Sequence, residues 1–240
     1  MNKEKLLYEN SKHALQSDNI IAITNRHLCS RPFMEQLERV CKLHPHAIVL
    51  REKDMPEAEY LSLARDVIAL CKKYDVQCIL HSFINVAMEL EHPYIHLPLP
   101  ILEAYVKKNV SGNISTGMSK STDNYQQFFK VIGTSVHSVS DAVRAEKLGA
   151  TYLTAGHIFA TDCKKGLPPR GLDFLKNVCN AVGIPVYAIG GINIASSDDS
   201  TASDSPSTYD AMPDISVPRL ADVMKCGAAG GCIMSGMMRV

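Results

Sequence analysis

Several features that would narrow the class of this chain at once are missing, and each absence excludes something. Neither sign of charge is in excess, since 25 Lys and Arg stand against 25 Asp and Glu. No overall field therefore recruits nucleic acid or an anionic membrane, and any anion site must be built locally. No apolar run approaches the length of a membrane span, and Met1 to Ile20 lacks the apolar centre of a signal peptide. The eight cysteines form no C-x-x-C pair and mostly fall on apolar faces, which suits a reducing cytosol. The expectation is a cytoplasmic protein whose partner is a small molecule.

What is present is an alternation of short apolar runs with amphipathic segments. Strands are expected at Asn19 to Thr24, His46 to Leu50, Gln77 to Leu80, Tyr94 to Leu97, Lys130 to Val136, Thr151 to Ala155, Pro185 to Ile189 and Ala228 to Met234. Helical patterns fall between most of them, at Pro32 to Leu43, Glu57 to Tyr74, Ile84 to Leu90, Ile101 to Lys108, Ser138 to Leu148, Leu172 to Val182 and Val217 to Lys225. Ile114 to Gly117 is a weaker candidate for a short strand. Apolar strands alternating with helices indicate a parallel sheet, and 240 residues with eight strands indicate an α/β fold, one (β/α)8 barrel. Residues 1–18 read as a polar leader and 19–240 as the barrel domain. Ile194 to Pro213, dominated by Ser, Asp, Thr and Ala, has too little apolar surface to offset the entropy of ordering it, and reads as a disordered insertion. The chain ends six residues after the last strand, so the closing helix this architecture expects is missing. Either the protein is truncated or the leader covers that surface.

Barrel enzymes carry their chemistry at the C-terminal ends of the strands, often with a phosphate held after strands seven and eight. Gly190-Gly191 and Ser235-Gly236 fall at those two places, where unhindered amides and a hydroxyl suit an anion. The alternative is that the glycines only make tight turns. His137 leaves strand five on the parity of Gly133 and Ser135, and an imidazole there can take and return a proton near neutrality. His157 and His81 also lie near strand ends, whereas His96 reads as a hydrogen-bonded core residue. Arg51 and Lys53 share a parity after strand two, and Lys164 and Lys165 lie in a loop with Thr161, Asp162 and Cys163. Cations from two loops on one rim suit a carboxylate or phosphate; the alternative is a solvated turn. Cys163 beside two lysines has some thiolate character, but no base stands beside it to make it a nucleophile.

Five stretches then become recognisable: Val49 to Asp54, Ile132 to Ser138, Gly156 to Gly166, Ala188 to Ile192 and Gly227 to Gly236. Over about residues 20 to 238 the chain resembles the thiamine-phosphate synthase and TenI superfamily. Gly-His-Ile-Phe-Ala-Thr-Asp-Cys-Lys-Lys-Gly-Leu looks like the TenI branch, the thiazole tautomerases, where synthases have a Pro-Thr-x-Thr-Lys pattern. Synthases also carry an Asn-Asp pair after strand three and an Asp after strand four to hold magnesium. Here those places read His81-Ser82 and Pro98-Leu99-Pro100, which offer no carboxylate to a hard cation.

The resemblance implies a tautomerase of thiamin biosynthesis that aromatises carboxythiazole phosphate by acid-base proton transfer, with no metal or other cofactor. One base removes the proton at the ring carbon bearing the carboxylate, and a proton is delivered to the exocyclic carbon. His137 matches the catalytic histidine. Gly190, Gly191, Ser235 and Gly236 match the phosphate cradle, Arg51, Lys53 and Lys164 the cationic rim, and Ser135 and Thr161 are counted with the binding residues. The partners are a phosphorylated thiazole and a thiazole synthase that hands it over, with a homodimer left open. Two alternatives stand: thiamine-phosphate synthase, which would need magnesium, and a non-catalytic TenI-like regulatory or ligand-sensing protein.

Overall fold

In the computed structural model, which describes residues 18–112, 128–194 and 217–240, eight parallel strands close on themselves in sequence order. They are β1 (Ile20–Ile23), β2 (Ala47–Leu50), β3 (Gln77–His81), β4 (Tyr94–Pro98), β5 (Val131–Val136), β6 (Tyr152–Gly156), β7 (Val186–Ile189) and β8 (Gly230–Ile233). β8 pairs back onto β1 through Ile21 opposite Cys232. Among the described residues seven α-helices lie outside: α1 (Phe33–Lys42), α2 (Glu57–Lys73), α3 (Ile84–Glu89), α4 (Leu99–Gly112), α5 (Val139–Lys147), α6 (Gly171–Ala181) and α7 (Leu220–Lys225). Among the described residues no helix is long and apolar enough to cross a membrane.

The strands are apolar in unbroken runs because both of their faces are buried. One set of side chains, among them Ile21, Val49, Ile79, Tyr152, Tyr187 and Cys232, fills the barrel. The alternate set, among them Ala22, Ile48, Leu80 and Leu153, packs against helix faces such as Leu37, Val40, Ala64 and Val67. Alternation in direction without alternation in polarity is what a parallel barrel imposes on sequence.

Helix ends follow local chemistry. Ser138 caps α5 by accepting from the Asp141 amide at 3.0 Å. Gly227 follows α7 with φ 91°, the left-handed conformation that glycine adopts without strain. α4 departs from the sequence expectation, since it opens at Leu99 directly after β4 rather than at Ile101. Pro100 does not prevent this, because a proline in the first helical turn removes an N–H that has no intrahelical acceptor. α7 is shorter than expected and begins only at Leu220.

No helix follows β8. The chain turns back through Met238 N–H to the Met234 carbonyl at 3.1 Å and buries Met237 and Met238. Gln36 of α1, itself buried, donates to the Met237 carbonyl at 2.8 Å. The leader to residue 17, Ile114 to Gly117, and the insertion beyond Ile194 lie outside the described residues.

Candidate active site

At the end of β2 the run Arg51-Glu52-Lys53-Asp54 divides by parity. Glu52 is buried and accepts from Thr24 Oγ1 at 2.7 Å and from the Arg26 amide at 3.2 Å, while Arg26 Nη1 approaches it at 3.1 Å. The same guanidinium forks onto both oxygens of Asp54 at 2.8 Å, and His27 Nε2 reaches Asp54 at the same distance. Arg26 first, and His27 after it, hold the Asp54 carboxyl well below the usual carboxylate range. Both acidic residues are thus occupied by the end of β1. Among the described residues Arg51, Lys53 and Lys164 have no carboxylate within ion-pair distance. Lys53 feels Arg51 and Lys164 as like charges; together with burial, which is the larger cause, they hold its pKa below the ordinary lysine value. Cations from the β2 and β6 loops therefore stand near one another, with no carboxylate among the described residues to neutralise them.

On the opposite side of the mouth, Gly190 and Gly191 adopt φ of 96° and 70°. A Cβ at Gly190 would stand 2.4 Å from His157 Cβ, and one at Gly191 2.5 Å from the Ala160 carbonyl. The pair is thus required both for its backbone conformation and for the close passage of the β6 loop. That loop is fastened there by the Ile158 amide to the Ile189 carbonyl at 2.9 Å and the Phe159 amide to the Gly190 carbonyl at 3.1 Å. Arg219, just before α7, donates to the Gly191 carbonyl at 2.6 Å and lies 4.6 Å over the Phe159 ring. A Cβ on Gly236 would come within 3.3 Å of the Ile194 amide nitrogen, so the β7 and β8 loops touch. Among the described residues the amides of Gly190, Gly191, Ser235 and Gly236 have no protein acceptor, leaving four half-buried donors for an anion.

His137 stands exposed at the end of β5 with its Nδ1 2.8 Å from the Gly156 carbonyl. A carbonyl can only accept, so Nδ1 carries the hydrogen and Nε2 of the neutral ring keeps a lone pair.

Below the mouth lies a polar network that pattern reading did not assemble. His96 Nδ1 is 2.9 Å from Tyr152 Oη and its Nε2 is 2.8 Å from Ser135 Oγ, which in turn receives Thr154 Oγ1 at 2.9 Å. His81 stacks on His96 with centroids 5.5 Å apart, and its Nδ1 meets Ser82 Oγ at 2.8 Å. Burial pushes the His81 pKa down to about 2 and the His96 pKa down to about 3, with Arg51 adding to both. Both rings are therefore neutral at ordinary pH. Register makes the network possible: His96 is opposite Gly133, Gly133 opposite Tyr152 and Ser135 opposite Thr154. A Cβ at Gly133 would stand 2.1 Å from Tyr152 Cζ and 2.4 Å from His96 Nδ1. The sequence signal was there, as polar residues at inward positions on three consecutive strands. His96 behaves as the expected core histidine.

The remaining candidates do not converge. His157 Nε2 is 3.4 Å from the Leu167 carbonyl and braces its own loop. Thr161 opens a single 3-10 turn over Asp162–Lys164, its carbonyl accepting from the Lys164 amide at 3.0 Å. Lys165 is exposed beyond that turn, and the Cys163 side chain lies outside the described residues. A cavity of about 230 Å³ opens at the other end of the barrel, lined by His46, Gln77, Lys130 and Thr151. It sits at the N-terminal ends of the strands, where barrels do not place their chemistry.

The donors available for magnesium do not suit it. β3 ends on a buried neutral His81 and Ser82, and β4 passes straight into α4 with no loop that could carry a carboxylate. Among the described residues no three His, Cys, Asp or Glu side chains group as metal ligands. Magnesium demands near-octahedral oxygen ligands, which these side chains do not supply.

A closed eightfold barrel whose C-terminal mouth sets cations and glycine amides around an exposed histidine has the layout of barrel enzymes that act on small phosphorylated compounds. Within that class the family is fixed by comparison. The family model described as thiamine monophosphate synthase, TMP-TENI, matches residues 20–205, and the chain belongs to that family. A protein of Aquifex aeolicus with the provisional name thiamine-phosphate synthase 2 is 34% identical over 178 residues, 74% of this chain and 87% of the relative. Thiamine-phosphate synthase 2 of Streptococcus pneumoniae serotype 4 is 30% identical over 171 residues, 71% of this chain and 74% of the relative. The solved thiamine phosphate pyrophosphorylase of Pyrococcus furiosus superposes with a TM-score of 0.64 at 25% identity, covering 94% of this chain and 89% of that one.

Proposed function

We propose that the protein is a thiazole tautomerase of thiamin biosynthesis, aromatising a carboxythiazole phosphate by metal-independent proton transfer. The observation that carries this reading is His137, whose Nδ1–H is given to the Gly156 carbonyl and whose Nε2 lone pair is free at the mouth. Nε2 takes the proton from the ring carbon that bears the carboxylate, and the electron pair moves through the ring as a proton is returned to the exocyclic carbon. Arg51, Lys53 and Lys164 hold the carboxylate without exchanging protons. The free amides of Gly190, Gly191, Ser235 and Gly236 take the phosphate. The deciding experiment mixes the protein with freshly made thiazole synthase product and follows ring aromatisation in the presence of a chelator.

A second reading, thiamine-phosphate synthase, is favoured by the names of the relatives. Joining of a pyrimidine pyrophosphate to thiazole phosphate, dependent on added magnesium, would establish it in place of the first.

A further inference from the structure

We propose that Tyr152 fixes the tautomer of His96 and thereby commits the Ser135 hydroxyl to donate into the barrel mouth, which makes Tyr152 and His96 positioning residues for an acceptor atom of the ligand. The argument is a count of hydrogens. Among the described residues Tyr152 Oη has one partner, His96 Nδ1 at 2.9 Å, and Thr154 Oγ1 has one, Ser135 Oγ at 2.9 Å. Tyr152, His96 and Thr154 are all buried.

If His96 Nδ1 carried the hydrogen it would donate to Tyr152, and the phenol O–H would be left buried with no acceptor, which is costly. The arrangement that leaves no buried donor idle runs one way: Tyr152 O–H donates to Nδ1, and His96 Nε2–H donates to Ser135 Oγ at 2.8 Å. Thr154 O–H also donates to Ser135 Oγ. Both lone pairs of Ser135 are then taken, and its own hydrogen has no acceptor among the described residues. Ser135 is only half-buried, on the inward face of β5 two residues before His137, so that hydrogen points to the mouth. His96 is uncharged and cannot donate from both nitrogens. Gly133 is part of the device, because any side chain there would stand between His96 and Tyr152.

The ligand atom facing Ser135 must therefore be an acceptor, such as a carboxylate or phosphate oxygen. That consequence rests on the anion-binding reading of the mouth, while the tautomer does not. Two-bond ¹H–¹⁵N NMR on the ¹⁵N-histidine protein at pH 7.5 reads the tautomer directly, with His96 assigned by its loss in His96→Gln. The expected result is the Nε2–H form in wild type, in Ser135→Ala and in Tyr152→Phe, with the Nδ1 ¹⁵N resonance moved downfield in Tyr152→Phe, where its phenol donor is gone. An Nδ1–H form in wild type, a switch in Ser135→Ala, or an unmoved Nδ1 resonance in folded Tyr152→Phe would overturn the proposal. Should Tyr152→Phe not fold, the first two spectra decide alone.

On carboxythiazole phosphate, Ser135→Ala should raise KM by about tenfold or more, as for one lost hydrogen bond to a charged group. Tyr152→Phe should raise it less, and the double variant no more than Ser135→Ala; independent, multiplying effects would also overturn the coupling. Absence of turnover by the wild type would count against the tautomerase reading and leave the NMR result standing.

Discussion

His137 can serve as a base at neutral pH only through Nε2, because its Nδ1–H is already given to the Gly156 carbonyl. Replacing it by Asn or Gln removes the proton acceptor while leaving in place the cations and amides proposed to hold the ligand. Turnover should fall by about 10² to 10⁴-fold, with affinity for the aromatised carboxythiazole phosphate within a few fold by calorimetry; near wild-type turnover in either variant would remove His137 from the mechanism. Gly133 poses a different problem at the same scale. A methyl group there would stand 2.1 Å from Tyr152 Cζ and 2.4 Å from His96 Nδ1, so Gly133→Ala must push apart the two rings that the network joins. Overpacking of a tight interior costs about 1–3 kcal/mol, and the broken bond adds to it. A urea midpoint for Gly133→Ala close to that of wild type would mean that the two rings yield more easily than this packing suggests.

At the level of elements, β4 bears on the metal question. It ends on Pro98 and passes directly into α4 at Leu99 and Pro100, and none of these three side chains presents a carboxylate to the mouth. Turnover should survive EDTA, whereas loss on chelation with recovery on added magnesium would transfer support to the synthase reading. The same corner shows what was legible in the chain. The eight strands were, because burial on both faces writes them as apolar runs; the start of α4 was not, because Pro98-Leu99-Pro100 reads as a break although the first helical turn tolerates proline. His137, Arg51, Lys53 and the glycine pairs could be named because they leave strand ends in one stretch of sequence. The Tyr152, His96, Ser135 and Thr154 network needs the register of three strands, and the Thr24, Arg26 and Glu52 cluster needs β1 laid beside β2. Neither register is written in local pattern.

Across the whole molecule charge is balanced, yet its neutral histidines should make stability fall in acid earlier than carboxylates alone would. His81 and His96 are held neutral in the fold, with pKa values pushed from 6.5 down to about 2 and about 3 by burial and then by neighbouring positive charge. In the unfolded chain both take up a proton near pH 6.5. The unfolded state therefore binds more protons over the window between, so this stability is fully present above about pH 6.5 and is lost as the pH falls toward the folded values. Each ring contributes a slope of up to about 1.4 kcal/mol per pH unit. From pH 7.5 to 5.5 the pair should remove about 2–3 kcal/mol of a total that for most domains is only about 5–15 kcal/mol. Asp54 and Glu38, whose pKa values are depressed by their cationic or hydroxyl partners, act in the same direction but only below the ordinary carboxylate range, so they do not enter this interval. Urea midpoints at pH 7.5, 6.5 and 5.5 should fall steadily, and His96→Gln, whatever it costs at pH 7.5, should lose less than wild type on going to 5.5. A midpoint that is flat over this interval would mean that the two rings are charged in the fold or reached by water, and the buried neutral pair beneath the mouth would have to be abandoned.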